Sequence, residues 1–177
     1  MDSLRGKRLV IFGCGYVGAA VADAAIAAGA SFLVAPGFNP TVVDHVLSRG
    51  IPMLPGVCTP SEIEQALERG LRLVKFFPAT AMGGVGFLRA LAGPYPMVRY
   101  VPTGGITPAD VAGYLALPSV VAVGGTWLAA GDIVAAEAWD TIRALAADAA
   151  AMVCRARIAK ASRIAGEARP ENAGQRE

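Results

Sequence analysis

The sequence predicts an α/β protein of about six parallel strands alternating with helices. They would form either an incomplete or opened (β/α) barrel or, alternatively, a doubly wound sheet. Three observations carry this. Apolar, β-branched runs recur at Arg8–Phe12, Ser31–Ala35, Pro52–Leu54, Leu71–Phe77, Val98–Val101 and Val120–Val123. Ala-rich segments with apolar spacing of three and four lie between them, the periodicity of helices packed on a sheet. The strand runs are nearly all apolar rather than alternating, as expected where helices cover both faces of a parallel sheet.

The helix starts are marked by their chemistry. Asn39-Pro40, Thr59-Pro60 and Thr107-Pro108 each place a capping side chain before a proline at the first helical position. Thr59 with Glu62 adds a capping box. A long last helix is expected from about residue 137 to 160, with Trp139, Ile142, Leu145, Ala149, Met152 and Val153 as its buried stripe. Residues 1–154 then read as one α/β domain and 155–177 as a basic helical or disordered tail.

Composition narrows the function classes. The chain has 177 residues, of which 54% are hydrophobic and 17% charged, with three cysteines, Cys14, Cys58 and Cys154. Such a composition excludes a disordered chain. Few, scattered cysteines exclude a disulfide scaffold and suit a reducing cytoplasm. No apolar run is long enough for a membrane span, so no membrane partner is expected. Six bases against three acids in residues 155–177 account for the net charge of +2. The body is therefore slightly acidic, and no nucleic-acid partner is expected. His45 is the only histidine, which leaves no Ser-His or Cys-His pair, and the cysteine spacing offers no metal site.

Lys75 is the most informative residue. It stands in the apolar run Val74-Lys75-Phe76-Phe77-Pro78. An amine there loses hydration, its pKa falls, and its free form can attack a carbonyl to make a Schiff base. The plainer reading is an edge-strand lysine kept for solubility. Two glycine turns follow the last two strand runs: Thr103-Gly104-Gly105 and Gly124-Gly125-Thr126. Exposed N–H groups and hydroxyls in such turns make an anion nest, and barrel enzymes hold phosphate in their last two βα loops. Two tight turns needing positive φ explain the glycines equally well.

From about residue 23 to 152 the chain resembles the 2-keto-3-deoxy-6-phosphogluconate (KDPG) and 4-hydroxy-2-oxoglutarate (KHG) aldolase family. The resemblance rests on A-G-A-S-F-L-V-A-P-G through Gly37, I-P-M-L-P-G-V at 51–57, V-K-F-F-P-A at 74–79, V-P-T-G-G-I at 101–106 and V-G-G-T-W-L at 123–128. It implies a (β/α)₈ class I aldolase without a cofactor, commonly trimeric, that cleaves a sugar-acid phosphate. It also implies Lys75 as the Schiff-base lysine, with Pro36 and Phe77 lining a keto-acid pocket. Thr103, Gly104, Gly105, Gly125 and Thr126 match the phosphate loops, Thr126 standing where a serine is usual.

The family's first two strands go unmatched, and the second normally supplies the glutamate that shuttles protons. Asp23, Asp44, Glu62, Glu64 and Glu68 all fall on helical patterns, so none replaces it. General acid–base help is worth about 10² to 10⁴ in rate, and weak or lost turnover is expected. An alternative is a non-catalytic phosphate- or dinucleotide-binding domain.

Residues 1–22 resemble something else. Lys7–Gly18 reads as a strand, a G-x-G-x-x-G and a helix start, like the first βα unit of a Rossmann protein. This makes Gly13, Gly15 and Gly18 candidate cofactor-binding residues and suggests a fold hybrid joined near Val21–Ala25. The usual acid about 20 residues on is missing. The aldolase family's third strand also ends in a glycine-rich turn, which leaves open that Gly13–Tyr16 occupies that slot. An opened barrel leaves an edge, so a homodimer or homotrimer is expected.

Overall fold

The computed structural model describes residues 18–167. The predicted strand at Arg8–Phe12 and the candidates Gly13 and Gly15 lie outside these residues. The element order is α1 (Ala19–Ala27), β1 (Leu33–Val34), α2 (Pro40–Ser48), β2 (Met53–Leu54), β3 (Gly56–Val57), α3 (Pro60–Glu68), β4 (Leu73–Phe76), α4 (Gly84–Leu91), β5 (Arg99–Pro102), α5 (Val111–Ala116), α6 (Gly131–Ala135) and α7 (Trp139–Glu167). Short 3₁₀ turns at Pro108–Asp110 and Thr126–Ala129 precede α5 and α6.

The strands form one parallel wall in chain order. β1 pairs with β2, and β3 pairs with β4, which pairs with β5. Only Pro55 separates β2 from β3, and segment 52–57 serves both neighbours. The Leu33 N–H donates to the Pro52 carbonyl at 2.9 Å, and the Lys75 N–H to the Pro55 carbonyl at 2.9 Å. Val120 and Gly124 extend the wall by isolated bridges to Tyr100 and Thr103. The run 120–123 was expected as a full strand; it makes only these bridges.

Strand order decides between the two predicted architectures. A doubly wound sheet reverses its order at a switch point. Here each described strand lies beside its sequence neighbours without reversal, as in a barrel wall. Burial agrees. Both β4 and β5 bury alternate residues, and the buried ones, Val74, Phe76 and Tyr100, pack with Ile63, Leu88 and Tyr114 from the helices. Leu33 and Met53 join Val43 and Val46 of α2 in a second cluster. The helices thus cover one face of the wall, correcting the expectation of two covered faces. On the other face stand Leu73, Lys75, Arg99 and Val101, the interior side of a barrel left open among the described residues.

The caps hold as predicted. The Asn39 side chain accepts from the Thr41 and Val42 N–H groups, and Thr59 and Glu62 form a reciprocal capping box. The last helix runs past the expected end to Glu167. It packs on α5, and the Lys160 ammonium donates to the Leu117 carbonyl at 2.8 Å, where α5 ends. Its predicted buried stripe is corrected: Ile142, Leu145, Ala149, Met152 and Val153 are only partly buried, and Trp139 is 55% exposed, where the first turn of α7 overhangs the core.

Candidate functional site

The candidate site lies at the C-terminal ends of β4 and β5. Lys75 occupies the middle strand of the described wall, with β3 on one side and β5 on the other, which removes the edge-strand explanation. It faces the uncovered side, half-buried, and burial lowers its pKa below that of an ordinary lysine. The amine stands 4.6 Å from the centroid of the Phe77 ring. An aromatic face stabilises an ammonium and so opposes the desolvation.

Gly56 lets the backbone that follows β1 pack tightly against β3, next to the strand that carries Lys75. It lies across the parallel ladder from Lys75, and a Cβ there would come within 2.0 Å of the Pro36 carbonyl oxygen. Only glycine lets the two backbones approach so closely. Gly56 lies within the run I-P-M-L-P-G-V at 51–57, where the sequence alone does not set it apart. The one signal is a glycine inside an apolar strand.

The turn after β5 lies against the other side of Phe77. A Cβ on Gly104 would meet the Phe77 ring at 3.0 Å. Gly104 and Gly105 have φ of 99° and 74°, conformations that an L side chain rarely adopts. Neither N–H donates a hydrogen bond to another described residue. Their two N–H groups are therefore unspent donors side by side in one turn, the kind of group that anion nests use. The adjacent Thr103 hydroxyl is buried and also lacks a partner among the described residues. Thr103 bridges to Gly124, which brings Gly125 and Thr126 to the same end of the wall. The Trp127 indole lies over Gly125, with its buried Nε1 unpartnered among the described residues.

These contacts link Pro36, Lys75, Phe77, Thr103, Gly104 and Gly125 at one end of the wall, with Thr126 beside them. Gly18 stands apart as the residue before α1, and a Cβ there would meet nothing within 4 Å. A larger cavity, of about 590 Å³, sits at the opposite, N-terminal ends of the strands and is lined by Phe32, Met53 and Leu73. It is apolar and does not reach Lys75, so the chemistry lies elsewhere.

Four of the five carboxylates named from sequence, Asp23, Asp44, Glu62 and Glu64, have other partners. Asp23 bonds His45 at 3.0 Å and Arg49 at 2.8 Å, tying α1 to α2. Asp44 takes a two-pronged grip from Arg69, which holds its carboxyl below the usual range. Glu62 caps α3, and Glu64 accepts from the Tyr95 hydroxyl at 2.9 Å. Among the described residues, Lys75 makes no ion pair.

The chain resembles known proteins in sequence and in structure. A 2-dehydro-3-deoxy-phosphogluconate aldolase of Treponema pallidum (strain Nichols) is 50% identical over 124 residues, 70% of this chain and 59% of that protein. A KDPG aldolase of Legionella pneumophila, solved with pyruvate captured as a covalent carbinolamine, is 36% identical at a TM-score of 0.70, covering 73% of this chain and 63% of that one. A 2-keto-3-deoxy-6-phosphogluconate aldolase of Zymomonas mobilis ZM4, solved with 3-phosphoglycerate, is 37% identical at a TM-score of 0.70, covering 77% of this chain and 64% of that one. The chain spans under three fifths of the length of the curated relatives it matches. The model of the KDPG and KHG aldolase family matches residues 4–145. That match takes in the Lys7–Gly18 segment along with the rest, and the separate Rossmann origin read there finds no support in it. With a sequential parallel wall, a desolvated lysine on its middle strand and a family match over most of its length, this chain belongs to the KDPG and KHG aldolase family.

Proposed function

We propose that the chain forms a Schiff base through Lys75 with a 2-keto acid and acts as a class I aldolase on a sugar-acid phosphate, with weak turnover. The carrying observation is the half-buried amine of Lys75 on the middle strand of the wall, its pKa lowered by burial, with the Phe77 ring centroid 4.6 Å away. The free amine adds to the C2 carbonyl, the oxygen takes a proton, and water leaves to give the imine. The protonated imine then draws in the electrons of the C3–C4 bond as the C4 hydroxyl gives up its proton to a base, the aldehyde departs, and the remaining enamine is protonated at C3 and hydrolysed by water to pyruvate and the free amine. Pro36 and Phe77 would flank the keto acid. The N–H groups of Gly104 and Gly105, with Thr103, Gly125 and Thr126, would hold the phosphate.

The weak turnover follows from the proton steps. Both water loss and C–C cleavage need an acid/base, and among the described residues no carboxylate bonds Lys75. Losing such a group costs about 10² to 10⁴ in rate. Incubation with pyruvate and borohydride, then peptide mass spectrometry, should find the reduced adduct on Lys75. A chain unmodified at Lys75 overturns the reading.

A second reading, a non-catalytic phosphate-binding domain, is favoured by the two unspent N–H groups of the Gly104–Gly105 turn. Calorimetric titration with sugar phosphates and with NAD and NADP tests it; heat with phosphates and no adduct on Lys75 would select it. In either reading we infer a cytoplasmic, single-domain chain that associates with copies of itself. The β1 edge, unpaired among the described residues, motivates that association, and a monomeric mass by light scattering would exclude it.

A further inference from the structure

A pair of hydroxyls lies beneath the glycine turn. Thr80 follows β4 by four residues, and its N–H donates to the Gly104 carbonyl at 3.0 Å. Its neighbour Ala79 donates to the Thr103 carbonyl at 2.8 Å. The Thr80 side chain presses on the turn from below: a Cβ on Gly105 would lie 2.9 Å from the Thr80 Cβ and 3.0 Å from its hydroxyl. That hydroxyl faces the phenol of Tyr114 on α5 and offsets part of the rise that burial gives the phenol's pKa. Tyr114 is buried, 3% exposed, and a Cβ on Gly84 would meet its hydroxyl at 3.1 Å. Tyr114, Thr80 and Gly105 therefore form a column from the helix layer to the turn, closed on a third side by Gly84.

We propose that Thr80 and Tyr114 are positioning residues that set the conformation of the Gly104–Gly105 turn, and through it the affinity for a phosphoryl group. Neither residue supplies a donor to the anion. The Thr80 backbone holds the Gly104 carbonyl and so restricts rotation of the Gly104–Gly105 peptide. Its side chain, oriented by the Tyr114 hydroxyl, fills the space into which the turn would otherwise relax. A left-handed turn has several accessible shapes for glycine, and an anion nest binds only in the one that converges its N–H groups. Fixing that shape beforehand removes an ordering cost from binding. The inference rests on the phosphate role proposed above for this turn.

The test uses the full chain and inorganic phosphate as probe, with affinity read by calorimetry. The variants are Thr80→Val, Thr80→Ser, Tyr114→Phe and the Thr80→Val/Tyr114→Phe double variant. A hydroxyl contact worth a single neutral hydrogen bond predicts about 3- to 10-fold weaker phosphate binding for Thr80→Val and for Tyr114→Phe. Thr80→Ser, which keeps the hydroxyl, should restore affinity to within about twofold. The double variant should lose no more than either single one, because both remove the same contact. Circular dichroism confirms folding, and Thr80→Val on the exposed turn is readable even if Tyr114→Phe misfolds. Phosphate binding by the unaltered chain, with no change in Thr80→Val, overturns the inference and leaves the phosphate turn standing. Absence of binding by the unaltered chain removes the phosphate role itself and this inference with it.

Discussion

Gly56 lies directly across the parallel ladder from Lys75, and its missing side chain lets the Pro36–Gly37 backbone close against the strand beside the lysine. A Cβ at this position would lie 2.0 Å from the Pro36 carbonyl oxygen and 2.7 Å from the Gly37 nitrogen. Backbone, not a flexible side chain, is what it would strike. Gly56→Ala must therefore push β1 and β3 apart, at a cost of about 1–3 kcal/mol or more. Thermal unfolding should show a lowered midpoint, and pyruvate trapping on Lys75 should fall with it. A variant as stable as the parent would mean that β1 and β3 separate freely here.

Lys75 predicts a stability change of opposite sign. Burial lowers its pKa below the usual lysine value of 10.5, so the folded chain holds this proton less tightly than the unfolded chain. Between the lowered value and 10.5 the unfolded state binds more protons, and stability rises with pH across that window. At neutral pH the buried ammonium is thus a net burden on the fold. Lys75→Met should raise the melting midpoint at pH 7, and the gap should close as pH climbs toward 10.5. The same substitution should abolish the borohydride-trapped adduct. In the unaltered chain, trapping should increase with pH and level off below the value for a free lysine. A plateau at or above that value would show that Phe77, not burial, governs the amine.

Much of this was legible from residue type and spacing. Caps at Asn39 and Thr59 are local chemistry, settled within three residues, and read directly. Lys75 was conspicuous because a charge in an apolar strand has few explanations, and the glycine turns stood out for the same reason. Sheet order was not legible. Six apolar runs fit a barrel wall and a doubly wound sheet equally well, since the choice depends on which face each helix takes. The alternation in β4 was hidden because Leu73 is apolar yet 44% exposed, facing the open side of the wall. Gly56, Thr80 and Tyr114 were missed because their roles arise from contacts across the fold. Trp139 was misplaced because helical periodicity cannot say where the partner surface ends.

Gly104 predicts a coupled effect on both halves of the site. Its φ of 99° and its contact with the Phe77 ring each disfavour a side chain. Gly104→Ala should cost about 1–3 kcal/mol through backbone strain and displace Phe77 from its place by the amine. Phosphate affinity and the pH profile of pyruvate trapping should therefore shift together in this variant. Loss of phosphate binding alone, with an unmoved trapping profile, would show that the Phe77 ring does not transmit the change.

Trp127 offers a direct optical readout. The chain has two tryptophans, Trp127 and Trp139. Trp139 is exposed, whereas the Trp127 indole lies over Gly125 with its Nε1 buried and unpartnered among the described residues. A buried indole N–H without an acceptor carries a desolvation cost of about 1–3 kcal/mol, and its emission responds to any charge brought near it. Trp139→Phe removes the exposed emitter at little structural cost and leaves Trp127 as sole reporter. Adding inorganic phosphate should then change the emission saturably, with a midpoint matching the calorimetric one. Gly125→Ala, whose Cβ would come within 2.2 Å of the indole nitrogen, should alter the starting spectrum before any phosphate is added. Saturable phosphate heat with an unchanged Trp127 spectrum would place the anion away from the Gly125–Thr126 turn and leave the Gly104–Gly105 turn to hold it alone.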